Sequence, residues 1–242
     1  MNAAYFDQFR INNLIHLQII ETSVTISNLI ITLIITLTII KFSLKQIKII
    51  PNHLNLIIEI IFNTIKNVCV EHLNTHTQIY LPIIFSFFIL IVCINLTGLL
   101  PYVFTLTSHI IITFTLSFSI LITTTLIGLK KWNTIFLSIL TPQSAPIILS
   151  PFLILIETIS YTTRIISLSV RLTANISAGH LLFAILSSFI IETITNNLYL
   201  ISIIPIIILT FVTLLEILVA IIQAYVFTLL TTIYLSNAIK LH

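Results

Sequence analysis

Residues 152–192 read FLILIETISYTTRIISLSVRLTANISAGHLLFAILSSFIIE. No proline interrupts this run, and as one helix it would extend ~60 Å at 1.5 Å per residue. The hydrocarbon core of a bilayer is only ~30 Å thick. Either the run breaks near Gly179 into two upright pieces, or it is a single strongly tilted helix. A second apolar stretch, 198–235, poses the same question.

A bilayer is the right frame because the chain cannot cover itself for water. Of its 242 residues 58% are hydrophobic and 7% charged, and the mean hydropathy is +1.19. Soluble domains carry about 25% charged residues. Backbone groups in hydrocarbon must find internal partners, which leaves helices or a closed barrel. A barrel needs short alternating segments, whereas runs such as Leu29–Ile40 and Leu198–Leu209 are apolar on every face. The length accommodates five or six spans of ~20 residues. Ten basic and seven acidic residues are too few for a nucleic-acid surface. Cys69 and Cys93 form no CxxC pair, so neither a disulfide nor a metal site is expected. No cofactor motif is present, no removed targeting peptide is evident, and the isoleucine- and threonine-rich bias suits an AT-rich, organelle-like coding context.

After a polar lead-in with Asp7, Arg10 and His16, residues 19–40 form a first span, closed by Lys41, Lys45 and Lys48. Such lysines mark the cytoplasmic or matrix side, which places the N-terminus outside. Past Pro51, residues Leu54, Ile57, Ile58, Ile61, Ile65 and Val68 repeat at helical spacing. Glu59, Asn63, Lys66, Asn67 and Glu71 lie largely between them. That pattern predicts an amphipathic helix along the membrane surface. Spans at 80–100 and 105–129 form a hairpin with its turn outside, since Lys130 and Lys131 return it to the inside. A short apolar piece, 134–140, and prolines 142, 146 and 151 lead into the two long stretches. The expected architecture is an all-α, single-domain membrane protein. Residues 1–50 are the lead-in and first transmembrane helix, 51–78 the surface amphipathic helix, 79–132 the transmembrane hairpin, and 133–242 a long C-terminal helical hairpin.

Ionisable residues inside a span cost ~2.5–3.5 kcal/mol each on insertion scales and are functional candidates by default. The last hundred residues hold Glu157, Arg164, Arg171, His180, Glu192 and Glu216. Glu192, beside Asn196 and Asn197, belongs to a loop or interface. At 100° per residue Glu157, Arg164, Arg171 and Asn175 share a narrow stripe; Glu216 and Gln223 share another, one heptad apart. Glu157 and Arg164 also suit a plain internal ion pair. Arginine keeps its proton, so Arg171 is a fixed cation, while Glu157, Glu216 and His180 can accept and release protons. Ser167, Ala174 and Ala178 surround Arg171 at helical spacing, and such small faces admit a close neighbouring helix. No acidic residue lies within two turns of Arg171, so its partner must come from elsewhere.

The run 167–182, SLSVRLTANISAGHLL, resembles the signature of subunit a of F-type ATP synthases. Residues 215–230, LEILVAIIQAYVFTLL, are similar to that family's last helix. Asn95–Tyr102 with Thr107-Ser-His109 is similar to its central hairpin. The resemblance implies a strongly tilted C-terminal hairpin against a rotating ring of c subunits, with two offset half-channels. Arg171 would separate them and pair with the ring carboxylate. His180 and Glu216 would relay protons on the inlet side and Glu157 on the outlet side. Asn175, Gln223 and Asn237 would be flanking polar groups, and Arg164 a secondary charge. Where some mitochondrial members carry an aspartate, Asn237 cannot titrate. The resemblance further implies a non-catalytic proton-channel subunit without cofactor. Its partners would be the c-ring, the peripheral stalk, other membrane-sector subunits and the lipid bilayer, and its place the mitochondrial inner membrane, or else a bacterial or plastid energy-coupling membrane. Two other classes compete. A secondary transporter or channel should show duplicated halves, which are not found. A respiratory oxidoreductase subunit would need more metal ligands than the His72/His76 pair.

Overall fold

The computed structural model describes residues 9–19, 22–45, 53–73, 77–100, 103–133, 150–197 and 199–239. Lys48, Pro51, His76, Pro101, the piece 134–140, Pro142, Pro146 and the tail 240–242 lie outside the described residues. The protein is an all-α membrane protein apart from one small hairpin near its start. Strands β1 (Asn13–Ile19) and β2 (Thr22–Ser27) pair antiparallel, with His16 opposite Thr25 and Leu17 opposite Val24. Helices follow as α1 (Asn28–Lys45), α2 (His53–Leu73), α3 (Thr77–Gly98), α4 (Ile110–Trp132), α5 (Ser150–Thr195) and α6 (Tyr199–Ile239).

The first span is therefore shorter than its hydropathy suggests. Hydropathy predicts it from residue 19, but the helix begins at Asn28, and Thr22–Ser27 before it form a strand. The local sequence explains this: Thr22-Ser-Val-Thr-Ile-Ser27 alternates β-branched and small polar residues, a strand pattern. The third span likewise starts at Ile110, after a 3-10 turn at Leu106–Ser108.

α3, α4, α5 and α6 are long and apolar enough to cross a membrane. α5 is one uninterrupted helix of 46 residues, about 69 Å long at 1.5 Å per residue. Gly179 does not break it, which decides for a single helix over two separate pieces. α5 closes on Asn197, whose φ of 59° lies in the left-handed region that asparagine tolerates at helix ends. Its backbone N–H donates to the Ile194 carbonyl at 3.0 Å. α6 continues through Pro205 for 41 residues. Leu200 is 84% exposed and Ile111 78%, exposures that only lipid or another subunit makes tolerable.

The many threonines and serines fit this solvent because they bond to their own helices. Thr115, Thr125, Thr158, Thr162 and Thr210 each donate to the carbonyl three residues earlier, at 2.8–2.9 Å. A hydroxyl that would be costly in hydrocarbon is thus satisfied without leaving its helix.

The chain divides into two compact units, and α5 and α6 contribute to both. The first comprises Met1–Ile47, Ile89–His109 and Leu172–Ala224. Within it α1 meets β2 and the 3-10 turn, and Asn95 donates from Nδ2 to the Ala220 carbonyl at 3.3 Å. The second comprises Lys48–Phe88, Ile110–Arg171 and Tyr225–His242. There Phe62 of α2 meets Phe85 of α3 edge-to-face at 5.2 Å. Ser236 donates to the His72 carbonyl at 2.8 Å. The Ile239 carbonyl accepts from both Lys131 Nζ and Trp132 Nε1 at 3.2 Å, so the last turn of α6 is capped by a cation, as its dipole favours.

α2 buries the stripe Ile65, Cys69 and Leu73 and exposes Glu59, Asn63, Lys66, Asn67 and Glu71. Ile57 is 53% exposed. It stands 100° from Ile58 and extends an apolar face suited to lipid. Cys69 is fully buried, and burial pushes its thiol up to about 11. Maleimide at pH 8 is therefore expected to leave Cys69 unmodified in the native protein and to label it after denaturation. Native labelling would contradict the burial of this stripe.

Candidate functional site

Glu157, Arg164 and Arg171 share the face of α5 that their offsets predict, because nothing interrupts the helix between them; Glu192, in the helix's last turn rather than in a loop, does not. In the second unit Glu157 and Arg164 pair at 3.7 Å, both over a third exposed. The Arg164 guanidinium also lies 5.6 Å from the ring centre of Tyr234 and reaches Ser160 Oγ at 3.5 Å. The plain ion pair weighed from sequence is thus present, and Arg164 is the better-held of the two arginines.

Arg171 contrasts with it. It is exposed, as are Ser167, Ala174, Asn175 and Ala178, and it forms no ion pair among the described residues. A fixed cation on a face of small side chains is left uncovered by this chain. Asn237 is exposed near the end of α6.

In the first unit α5 and α6 approach at Gly179. A β-carbon built there would fall on the Glu216 carboxylate, 2.7 Å from its Cδ. The acid occupies the space that a side chain larger than glycine's would take. One turn back on α5, Asn175 Nδ2 donates to Gln223 Oε1 at 3.3 Å. Offsets within α5 and within α6 suggested two polar lines; the structure joins them through this bond.

His180 turns toward the Gly98 carbonyl at the end of α3, and Phe9 meets its ring edge-on at 6.3 Å. His180 Nε2, Glu216 Oε1 and Gln223 Nε2 are buried with no hydrogen-bond partner among the described residues. Each such atom costs about 1–3 kcal/mol if left dry. An imidazole, a carboxyl and an amide are therefore poised for water or a proton rather than for each other.

Sequence reasoning did not single out Asn95 and His109 as individual groups, or Tyr161 and Tyr234, which line a small cavity with Arg164 and Leu168. The signal for Asn95 and His109 was there, since both are polar residues in an apolar hairpin. The tyrosines carried none, because membrane spans use them freely. No cluster of three metal-ligand side chains occurs among the described residues.

Comparison with known proteins identifies a family. The family described as ATP synthase A chain matches residues 24–236. The chain is 48% identical over 242 residues to ATP synthase subunit a of Metridium senile, covering all of both chains. It is 39% identical over 247 aligned positions to ATP synthase subunit a of Ehrlichia ruminantium (strain Welgevonden), again covering both completely. A chain matched along its whole length at these identities, with Glu157, Arg164, Arg171 and Glu216 on its two longest helices, belongs to the ATP synthase A chain family of membrane-sector subunits.

Proposed function

We propose that this chain forms two offset proton half-channels against a ring of c subunits, with Arg171 separating them. The observation that carries this reading is the uncovered Arg171, exposed among small side chains and without a carboxylate among the described residues. A charge in that setting needs an external acid, and a ring carboxylate passing along α5 supplies one transiently. Glu216 and His180 take the proton on the inlet side, with Asn175 and Gln223 beside them. Glu157, paired with Arg164, passes it out. Asn237 does not titrate and acts only as a polar neighbour. The inclined α5–α6 hairpin gives each ring subunit a long track to roll along. The chain itself performs no catalysis.

The mitochondrial inner membrane is the setting we favour. The composition suits organelle coding, and the identity to the Metridium senile protein exceeds that to the Ehrlichia ruminantium protein. A bacterial membrane is the alternative.

Glu216→Gln and Glu157→Gln test the relay, since glutamine keeps the volume and loses the proton. Each is expected to slow passive proton conduction through the assembled membrane sector by about tenfold or more, as loss of a positioned acid–base group does. Normal conduction would remove that residue from the pathway.

A further inference from the structure

Seven buried side-chain atoms lack a hydrogen-bond partner among the described residues, and all seven lie in the first unit. They belong to Asn28, Asn95, Thr107, His109, His180, Glu216 and Gln223. In the second unit, by contrast, the hydroxyls of Ser117, Thr124 and Thr231 bond to carbonyls of their own helices. Unpaired buried polar atoms cost about 1–3 kcal/mol each. So many in one unit mark a place where water is the missing partner.

The proposed inlet uses His180, Glu216 and Gln223. Asn95, Thr107 and His109, on α3 and the segment after it, hold further unpaired atoms of the same unit, beside the turn between α3 and α4 that the lysine clusters assign to the outer side. Gly98, whose carbonyl faces His180, is backed by Thr105, with Thr105 Cγ2 3.4 Å from where a β-carbon would stand. Thr105 Oγ1 donates to Ser108 Oγ at 2.7 Å, and Ser108 Oγ donates to the Thr105 carbonyl at 2.8 Å. The next residue, His109, stacks on Phe104 at 5.1 Å with 28° between the rings. Asn95 and Thr107 are almost wholly buried, and each has one oxygen unpaired. Of these three residues only His109 carries a side chain that can both take up and release a proton.

We propose that His109 is a further proton-relay residue, an outer member of the inlet. Its imidazole takes a proton from outside water and gives it to water held between Thr107 and Asn95, from which it reaches His180 and Glu216. This rests on the half-channel reading above. A loop histidine serving only as packing would have its buried Nε2 paired, and here it is not.

The test is passive proton flux in vesicles carrying the intact membrane sector with its ring, with assembly checked by co-purification of all subunits. His109→Gln keeps a polar end without titrating, and is expected to slow the flux about tenfold. His109→Ala is expected to slow it similarly and to recover most of it when imidazole is added to the outer compartment alone. Unchanged flux in His109→Gln overturns the proposal, as does an assembled His109→Ala indifferent to outside imidazole. If His109→Ala fails to assemble, His109→Gln decides. Glu216→Gln in the same vesicles separates the two levels. Normal flux there sinks the half-channel reading itself. Blocked flux there with normal flux in His109→Gln removes only His109.

Discussion

Replacing Arg171 by alanine is expected to abolish proton-driven ATP synthesis in proteoliposomes containing the whole complex. Arg171 stays charged at any working pH, and the chain leaves it exposed without an acidic partner among the described residues. Its proposed partner is the deprotonated carboxylate of the ring. Removing one member of a desolvated pair costs about 3–5 kcal/mol, roughly a 10²- to 10⁴-fold loss of the paired state. The same charge also bars protons from crossing directly between half-channels. Each proton carries ~2.3 kcal/mol per 100 mV, so a leak there dissipates the drive without turning the ring. Arg171→Lys keeps a charge and gives up the planar fork, and is expected to lose most of the synthesis as well. Normal coupled synthesis by Arg171→Ala would remove the central claim. Lost synthesis with raised passive leak separates the barrier role from a simple failure to bind.

The legibility of this site in the sequence follows from the cost of charge in hydrocarbon. Arg171, His180 and Glu216 were visible because nothing bland explains them at such positions, Glu157 less so because a plain pair with Arg164 also accounts for it, and 3.6-residue geometry placed Glu157, Arg164, Arg171 and Asn175 on one face. Whether α5 was one helix or two was not legible, since Gly179 reads equally as a break or as a close contact. The contact is what it is: glycine stands there to admit the Glu216 carboxylate. The extended start of the chain was hidden for another reason. Thr22–Ser27 is apolar enough on average to read as the beginning of a span, and hydropathy averages erase the alternation that makes it a strand. The bond from Asn175 to Gln223 and the turn of His180 toward Gly98 depend on which helices pack together, information that no single helix contains.

Gly179→Ala carries the second large effect. The added methyl would take the place of the Glu216 carboxylate. What it meets is the far end of a flexible side chain, not backbone. The acid can therefore swing aside for about 0.5–1.5 kcal/mol of rotamer strain, and alanine returns about 1 kcal/mol over glycine within a helix. Assembly and thermal stability of the complex are thus expected to be nearly unchanged, while passive proton flux falls about as far as in Glu216→Gln, tenfold or more. A double-mutant cycle discriminates displacement of the acid from general damage. If Gly179→Ala acts only by moving Glu216, then adding Glu216→Gln to it costs nothing further. Two independent lesions would instead multiply. Glu216→Asp, whose carboxyl is one methylene shorter, should restore part of the flux on the Gly179→Ala background and lower it on the parent background. Such a reversal of sign has no explanation in overall stability. A Gly179→Ala complex that conducts like the parent would mean that the acid does not work from the place it occupies beside this glycine.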